Sequence, residues 1–130
     1  MILLGEQTML KMILAAAVTL AVLVPAHAQK SGDWVLARRN ANPYWYPAVV
    51  QARSASTVDV LYDDGTRETR PAAQVKAYNW RIGSKVECLW SDDNLYYSGR
   101  ISALRGAALR IDFDQENTAE DTSTGKCRSR

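Results

Sequence analysis

An internal repeat constrains the fold of this chain more than any other feature of its sequence. A shift of 51 positions places residues 32–37 on 83–88, 45–50 on 96–101 and 58–63 on 109–114 without a gap. The aligned segments are short, strand-like and evenly spaced. We therefore predict two copies of one module of about 50 residues, a first copy at residues 29–79 and a second copy at residues 80–130.

Each copy alternates short strand-like segments with turn residues, which predicts an all-β module. Asp63-Asp64-Gly65 is typical of a hairpin turn, and Pro71 is expected to end the strand that follows it. Residues 72–75 are expected to form one helical turn before a last strand near residues 76–78. The other strands predicted in the first copy span residues 34–38, 46–52, 57–62 and 66–70. The second copy repeats the first three, but its fourth strand, within residues 117–124, is predicted to be weak because the segment is polar.

Small antiparallel sheets bury an apolar face by curling into barrels, which also removes open sheet edges. A barrel of about 50 residues is only marginally stable alone, so we expect the two copies to pack together. No segment has the periodicity of an amphipathic helix.

The first 28 residues have the pattern of a secretory signal peptide. An almost wholly apolar run at residues 12–24 follows Lys11 and precedes the small-residue site Ala26-His27-Ala28. Cleavage is expected before Gln29. The apolar run is short for a transmembrane helix.

The start of the chain can be placed at Met1, Met9 or Met12, because residues 1–8 include Glu6 and fit a basic signal region badly. The cleavage site carries no cysteine, so a lipid-anchored product is not expected. We predict a periplasmic or secreted protein with no stable membrane insertion after cleavage.

Cleavage would remove the only histidine of the chain, His27. The rest has no Gly-rich phosphate loop, no cluster of metal-ligating residues and no nucleophile beside an obvious base. We therefore predict a protein that is not an enzyme, with no catalytic residue, no metal and no cofactor. The acid pairs Asp63-Asp64 and Asp92-Asp93 lie in predicted turns, where Asp bonds to the local backbone.

Charges of both signs alternate along the chain, and the formal net charge is only +2. This balance favours an ordinary solvated surface, so nucleic acid is not expected as a partner. The alternative is a polyanion site on a basic face formed by Arg38, Arg39, Arg100, Arg105 and Arg110.

Cys88 and Cys127 are the two cysteines of the chain. Cys88 shares the strand parity of Val86 and should point inward, and Cys127 lies where the last strand should return beside the first. In an oxidising compartment this favours a disulfide. Closing a loop of about 40 residues would add about 4 kcal/mol on the chain-entropy model. Metal binding and a catalytic thiol are the alternatives, and both lack histidine partners.

Several segments together resemble a known family. In the second copy, Val86-x-Cys88-x-Trp90-Ser91, Tyr96-Tyr97-Ser98-Gly99-Arg100-Ile101 and Ile111-Asp112-Phe113-Asp114 look like a Tudor domain. In the first copy, Trp45-Tyr46-Pro47-Ala48-Val49-Val50 and Leu61-Tyr62-Asp63-Asp64-Gly65 look Tudor- or Agenet-like. The arrangement is similar to the tandem Tudor readers of methylated histone tails. The resemblance implies two SH3-like five-stranded barrels in tandem, here after a cleaved signal peptide.

The binding device of that family is an aromatic cage that holds a methylammonium group against ring faces. Carried over by position, the cage of the second copy would use Trp90, Tyr97 and Phe113. Gln115 stands where such cages often carry an acid, which favours a fully methylated ammonium over an ion with protons to donate. The alternative is that these rings only cap the barrel core.

The first copy departs from this pattern at one position. Arg39 takes the place of Trp90, while Tyr46, Tyr62 and Asp64 remain. A guanidinium there would either repel a cationic guest or fill the cage against the two tyrosines. We therefore predict that the first copy is mainly structural and that the second copy holds any ligand.

Two functions of different classes follow. The first is a non-catalytic exported binding module that takes a methylated or quaternary ammonium group, or a peptide that carries one. The second is a structural or cell-envelope interaction protein, whose paired barrels bind protein or cell-wall polymer without a working cage.

Overall fold

A computed structural model describes residues 29–115 and 117–130, and for residue 41 it describes the backbone only. The signal peptide predicted at residues 1–28 therefore lies outside the described residues. Over those two ranges, no helix has both the length and the apolar character needed to cross a membrane.

The first copy forms a five-stranded antiparallel sheet. Its strands are β1 (Trp34–Arg38), β2 (Trp45–Arg53), β3 (Thr57–Tyr62), β4 (Arg67–Pro71) and β5 (Val75–Ala77). They lie in the order β4-β3-β2-β1-β5. A 3-10 turn at Ala72–Gln74 connects β4 to β5, which pairs with β1. The sequence predicted a single helical turn at this place. Val58, Val60 and Tyr62 alternate with more exposed residues on β3, so the sheet buries one face.

The second copy forms a second five-stranded antiparallel sheet. Its strands are β6 (Lys85–Leu89), β7 (Tyr96–Arg105), β8 (Ala108–Phe113), β9 (Ala119–Ser123) and β10 (Cys127–Arg128). They lie in the order β10-β6-β7-β8-β9, the same arrangement as in the first copy. The predicted all-β fold of two five-stranded units in tandem is thus confirmed. The polar fourth strand forms over five residues, because pairing with β8 satisfies its backbone whatever its side chains are.

The repeat extends to irregularities of the backbone. The register of β2 on β3 shifts between Val50 and Ala52, and that of β7 on β8 shifts between Ile101 and Ala103, 51 positions later. The 51-residue spacing ends at the next turn. In the first copy the Tyr62 N–H bonds to the carbonyl of Thr66, whereas the Phe113 N–H bonds to that of Thr118, one residue further along. Beyond this turn, equivalent residues are 52 apart.

The two buried cores are not confined to their own copies. The first contains residues of β1, β2, β3 and β5 only. The second contains residues of β6, β7, β8 and β10, and also Leu36 of β1 and Trp80 of the segment between the sheets. Trp45 packs against this second core as well, so the first sheet presents one face to its own core and the other to the second copy. The predicted boundary at residues 79 and 80 stays a prediction. It falls between the end of β5 at Ala77 and the start of β6 at Lys85.

Cys88 and Cys127 form a disulfide, as predicted. They are directly paired across β6 and β10, and both are almost completely buried. The equivalent pair in the first copy is Ala37 and Val75, which face each other across β1 and β5. A covalent link therefore stands in the second copy where the first has an ordinary apolar pair.

The end of the chain holds the two copies together. Trp45 and Ser129 exchange backbone hydrogen bonds of 2.7 and 3.0 Å. The guanidinium carbon of Arg128 lies 3.7 Å from the ring centroids of both Tyr44 and Tyr96, one ring from each copy. Because these contacts join β10 to β2 and β7, they hold the ring-bearing strand β7 against the first copy.

Candidate ligand-binding site, an aromatic cage in the second copy

Three aromatic side chains meet at one end of the second sheet. Trp90 directly follows β6, Tyr97 is on β7 and Phe113 is the last residue of β8. Strand parity explains the meeting, because Trp90 continues the inward series of Val86 and Cys88 past the end of the strand. All three rings contact the second core.

The Tyr97 ring is nearly perpendicular to both the Trp90 ring and the Phe113 ring. The Trp90 and Tyr97 centroids are 5.3 Å apart with an interplanar angle of 89°, and those of Tyr97 and Phe113 are 6.4 Å apart at 85°. A cavity of about 150 Å³ lies against them, lined by Trp90, Tyr97, Phe113, Gln115 and Thr118. We call this set the second cage. The structure brings together all four residues expected from the sequence, and their role in binding stays a prediction.

The rings also serve the core. Phe113 is only 7% exposed, while Trp90 and Tyr97 are partly buried and pack on the core beneath. Capping the core and lining the cavity are therefore not exclusive, because one face of a ring can contact the core while another faces the cavity.

Two residues of the site were missed in the sequence. Thr118 lines the cavity and is the equivalent of Thr66, 52 positions earlier, so a constant offset of 51 did not identify it. Asp93 accepts hydrogen bonds from the Tyr97 hydroxyl and from the Leu95 N–H. The second bond is the turn role expected for the Asp92-Asp93 pair. The hydrogen bond from Tyr97 could not be predicted without knowing that the Tyr97 side chain folds back over the turn. An Asp four residues before an aromatic residue on a strand is a signal that could have indicated it.

The two segments that form the second cage carry only acidic charges. Every charged residue in the sequence between positions 89 and 98, and between positions 111 and 125, is an Asp or a Glu. These two segments contribute all the residues that line the cavity. Glu120 also ties them together, because Ser91 donates its hydroxyl to Glu120 Oε1 at 2.8 Å. An excess of acidic residues favours cations over anions.

The equivalent place in the first copy is filled by the chain itself. The guanidinium carbon of Arg39 lies 4.0 Å from the Tyr62 ring centroid and 4.8 Å from that of Tyr46. Its Nη2 is 2.9 Å from an oxygen of Asp64 and donates to the Thr66 hydroxyl oxygen at 2.9 Å. We call these five residues the first cage. Of the two arrangements expected for Arg39, the structure has the one in which the guanidinium fills the cage.

Ionisation in the first cage follows from this contact. Burial acts to raise the pKa of Asp64, but hydrogen bonds from Thr66 and Arg39 outweigh it and hold the pKa below its usual value. Burial and a hydrogen bond to Glu68 raise the pKa of Tyr62, so its ring stays neutral beneath the guanidinium. Both shifts keep a cation over a neutral ring and beside a carboxylate.

Catalytic and metal sites were not expected from the sequence. Within residues 29–115 and 117–130, His, Cys, Asp and Glu form no group of three or more that could hold a metal ion. The chemistry that the second cage offers is attraction of a cation to ring faces.

No protein-family model matches the sequence, and no curated protein matches it. Several solved structures are similar in fold. Crb2 tandem tudor domains are 17% identical with a TM-score of 0.48, and the match covers 79% of this chain and 81% of that one. The Agenet pair AGD34 of Arabidopsis thaliana AGDP1 is 14% identical with a TM-score of 0.39, covering 78% and 82%. The SAWADEE domain of SHH1, solved in complex with an H3K9me3 peptide, is 15% identical with a TM-score of 0.36, covering 78% and 99%. At these identities the similarity concerns the fold alone.

Proposed function

We propose that this protein is an exported, non-catalytic binding module whose second cage binds a methylated or quaternary ammonium group, free or on a peptide. The observation that carries the proposal is internal to the molecule. At the equivalent position of the first copy, two tyrosine rings already hold a cation, the guanidinium of Arg39. In the second copy that position is Trp90, which adds a third ring and supplies no cation of its own.

The size and lining of the second cage suit such a guest. Cavities of about 150 Å³ accept a benzene ring, so the smaller trimethylammonium group fits. Attraction of a desolvated cation to ring faces is worth about 2 kcal/mol or more, and the acidic surroundings add to it.

The difference between Gln115 and Asp64 sets the expected selectivity. Asp64 accepts hydrogen bonds from a guest that has N–H groups, as Arg39 does. Gln115, which lines the second cage 51 positions after Asp64, is neutral, so a guest with N–H groups would lose water there without gaining an ion pair with it. We therefore expect trimethyllysine to bind more tightly than dimethyllysine, and unmodified lysine to bind weakest.

Export is part of the proposal and is supported by residues 1–28 and by the disulfide, which is typical of oxidising compartments. Expression of the full chain followed by cell fractionation and intact-mass measurement tests it. The expected product begins at Gln29 and is found outside the cytoplasm. A full-length cytoplasmic product would contradict export and leave the cage proposal intact.

Tryptophan fluorescence tests the cage directly, because Trp90 forms one wall of the cavity. Titration with tetramethylammonium, choline and trimethyllysine should give a saturable change in emission that Trp90→Ala abolishes. Trp34→Ala is the matched control, because Trp34 is 49% exposed and lies outside the cage. If the wild-type protein shows no saturable response to any of the three ligands, the cage proposal is wrong. The interaction-protein alternative would then be favoured.

A further inference from the structure

One glutamate of each copy occupies the same place on the fourth strand. In the first copy it is Glu68, on β4, and in the second it is Glu120, on β9. The two are 52 positions apart, which is the offset beyond the turn. Strand register gives the same equivalence, because Glu68 pairs with Val60 and Glu120 pairs with Ile111, 51 positions after Val60.

Each glutamate accepts a hydrogen bond from the backbone just after the residue that distinguishes the two cages. Glu68 Oε1 accepts the N–H of Asn40 at 3.2 Å. Glu120 Oε1 accepts the N–H of Ser91, 51 positions after Asn40, at 3.4 Å, and also the Ser91 hydroxyl at 2.8 Å. Because Ser91 directly follows Trp90, the Glu120 carboxylate holds the chain beside the Trp90 wall of the second cage.

The two carboxylates differ at the ring beside them. In the first copy the Tyr62 hydroxyl also donates to Glu68 Oε1, at 2.7 Å, so the carboxylate lies at the edge of the ring that holds Arg39. The equivalent ring in the second copy is Phe113, which has no hydroxyl. Glu120 therefore cannot receive the hydrogen bond that a ring hydroxyl gives to Glu68.

Glu120 lies on the same face of the second sheet as the cage. Residues directly opposite each other in an antiparallel pair share a face, and Ile111, opposite Glu120, shares its side of β8 with Phe113. Glu120 is half-buried, and it is not one of the described residues that line the cavity. It is therefore placed to act on a guest through its charge and not through direct contact.

We propose that Glu120 makes the second cage select a cation over a neutral group of the same shape, and that it also positions Trp90 through Ser91. This inference rests on the proposed function and adds to it, because Gln115 supplies no charge to the cage. A partly buried charge is screened by salt less than an exposed one, so its attraction for a cation in the cage persists at physiological ionic strength.

Two guests of matched shape test the charge role. Choline and its neutral carbon analogue, 3,3-dimethyl-1-butanol, differ only in whether nitrogen or carbon carries the methyl groups. In fluorescence titrations Glu120→Gln, which keeps an oxygen acceptor for Ser91, should bind choline about fivefold more weakly and the analogue equally well. Asp121→Asn is the matched control, because this neighbouring carboxylate is exposed and paired with Arg110. Equal losses for both guests, or equal losses of choline binding in both variants, would overturn the charge role.

Salt provides a second test that needs only choline. At about 1 M sodium chloride the screening length falls to about 3 Å, so the difference in choline affinity between the wild-type protein and Glu120→Gln should fall below about twofold. A difference that stays at its full size would assign the loss to altered structure and contradict the charge role.

The positioning role has a measurement that needs no guest. Hydrogen exchange of the Ser91 amide should be about threefold faster or more in Glu120→Ala and unchanged in Glu120→Gln, because only the first variant removes the acceptor. Unchanged exchange in Glu120→Ala would show that Glu120 does not hold Ser91.

The two kinds of measurement separate this inference from the proposed function. If the wild-type protein binds neither choline nor the analogue, the proposed function is wrong and the charge role is wrong with it. Hydrogen exchange at Ser91 still decides the positioning role in that case. If the wild-type protein binds choline and Glu120→Gln binds it equally well, the proposed function stands and the charge role of Glu120 is wrong.

Discussion

The two cages of this protein are built on the same strands and differ in what occupies their centre. In the first, Arg39 lies over Tyr62 and Tyr46 and forms an ion pair with Asp64. In the second, Trp90 stands where Arg39 would be, and a cavity remains beside it. The comparison teaches that the residue after the first strand of the module distinguishes a cage that contains its own cation from one that keeps a cavity.

The copies also differ in how the last strand is held. In the first copy β5 is held by hydrogen bonds and by the apolar pair of Ala37 and Val75. In the second, β10 has only two residues and carries the disulfide. Because β10 is shorter than β5, it has fewer paired residues. The disulfide therefore supplies a larger share of the interactions that hold β10 on its sheet.

The largest expected effect comes from making the second copy resemble the first at this pair. The double variant Cys88→Ala, Cys127→Val reproduces the residues found at Ala37 and Val75. It should lower the free energy of unfolding by about 2–4 kcal/mol, because the unfolded chain gains the freedom of a long open loop. Urea denaturation followed by circular dichroism measures it. A loss below about 1 kcal/mol would show that the shared core, rather than the disulfide, secures the second copy.

Opening the first cage is expected to have the next largest effect. Arg39→Ala should cost about 1–2 kcal/mol, because two ring contacts and a partly exposed ion pair are lost. Low millimolar methylguanidinium should restore the melting temperature, because Asp64 and Thr66 accept its N–H groups. Arg67→Ala, which removes an exposed cation nearby, is the control. If tetramethylammonium restored the melting temperature better than methylguanidinium, the first cage would not select a guest with N–H groups, and the expected difference in selectivity between the two cages would be wrong.

A smaller effect is expected from Asp93 on the affinity of the second cage. Asp93→Asn keeps an oxygen that accepts from Tyr97 but removes the charge, so the ring becomes a poorer partner for a cation. We expect tetramethylammonium to bind about threefold more weakly in a fluorescence titration. Asp92→Asn, a change at the exposed neighbour, is the control. Equal losses in both variants would assign the effect to the general negative field instead of to the contact with Tyr97.

The smallest expected effect is a pH dependence confined to the first cage. The pKa of Asp64 is lowered in the folded protein, so its contribution to stability is fully present above the unfolded value of 3.8. That contribution is lost as the pH falls through the lower folded pKa. Carboxyl NMR titration of Asp64 measures the shift, and Arg39→Ala should move the pKa upward. If the pKa of Asp64 is unchanged in this variant, Arg39 does not contribute to lowering it.

Much of the second cage could be predicted because the resemblance to Tudor domains indicates its ring positions, and strand parity and repeat spacing agree with them. Inward-facing Val86 and Cys88 place Trp90 at the end of the same face, and the offset of 51 identifies Tyr97 with Tyr46 and Phe113 with Tyr62. Periodicity along a strand and the spacing of a repeat are local properties of a chain. The offset of 52 beyond the turn could not be predicted, because a polar loop tolerates an extra residue without any change in pattern.

The sequence alone therefore determined the all-β fold, the two copies and the disulfide partners, because each follows from local alternation or from pairing of strands within one copy. The rings at the second cage were expected from the resemblance to Tudor domains, and strand parity agreed with it. Only the tertiary structure decided that Leu36 is buried in the core of the other copy, that Arg128 lies between Tyr44 and Tyr96, and that Asp93 bonds to Tyr97. The first two contacts depend on how two sheets meet, and the third on how a turn folds back over its strand. A buried side chain, a cation or a carboxylate could find several different partners in this sequence, and only the folded structure shows which partner each one has.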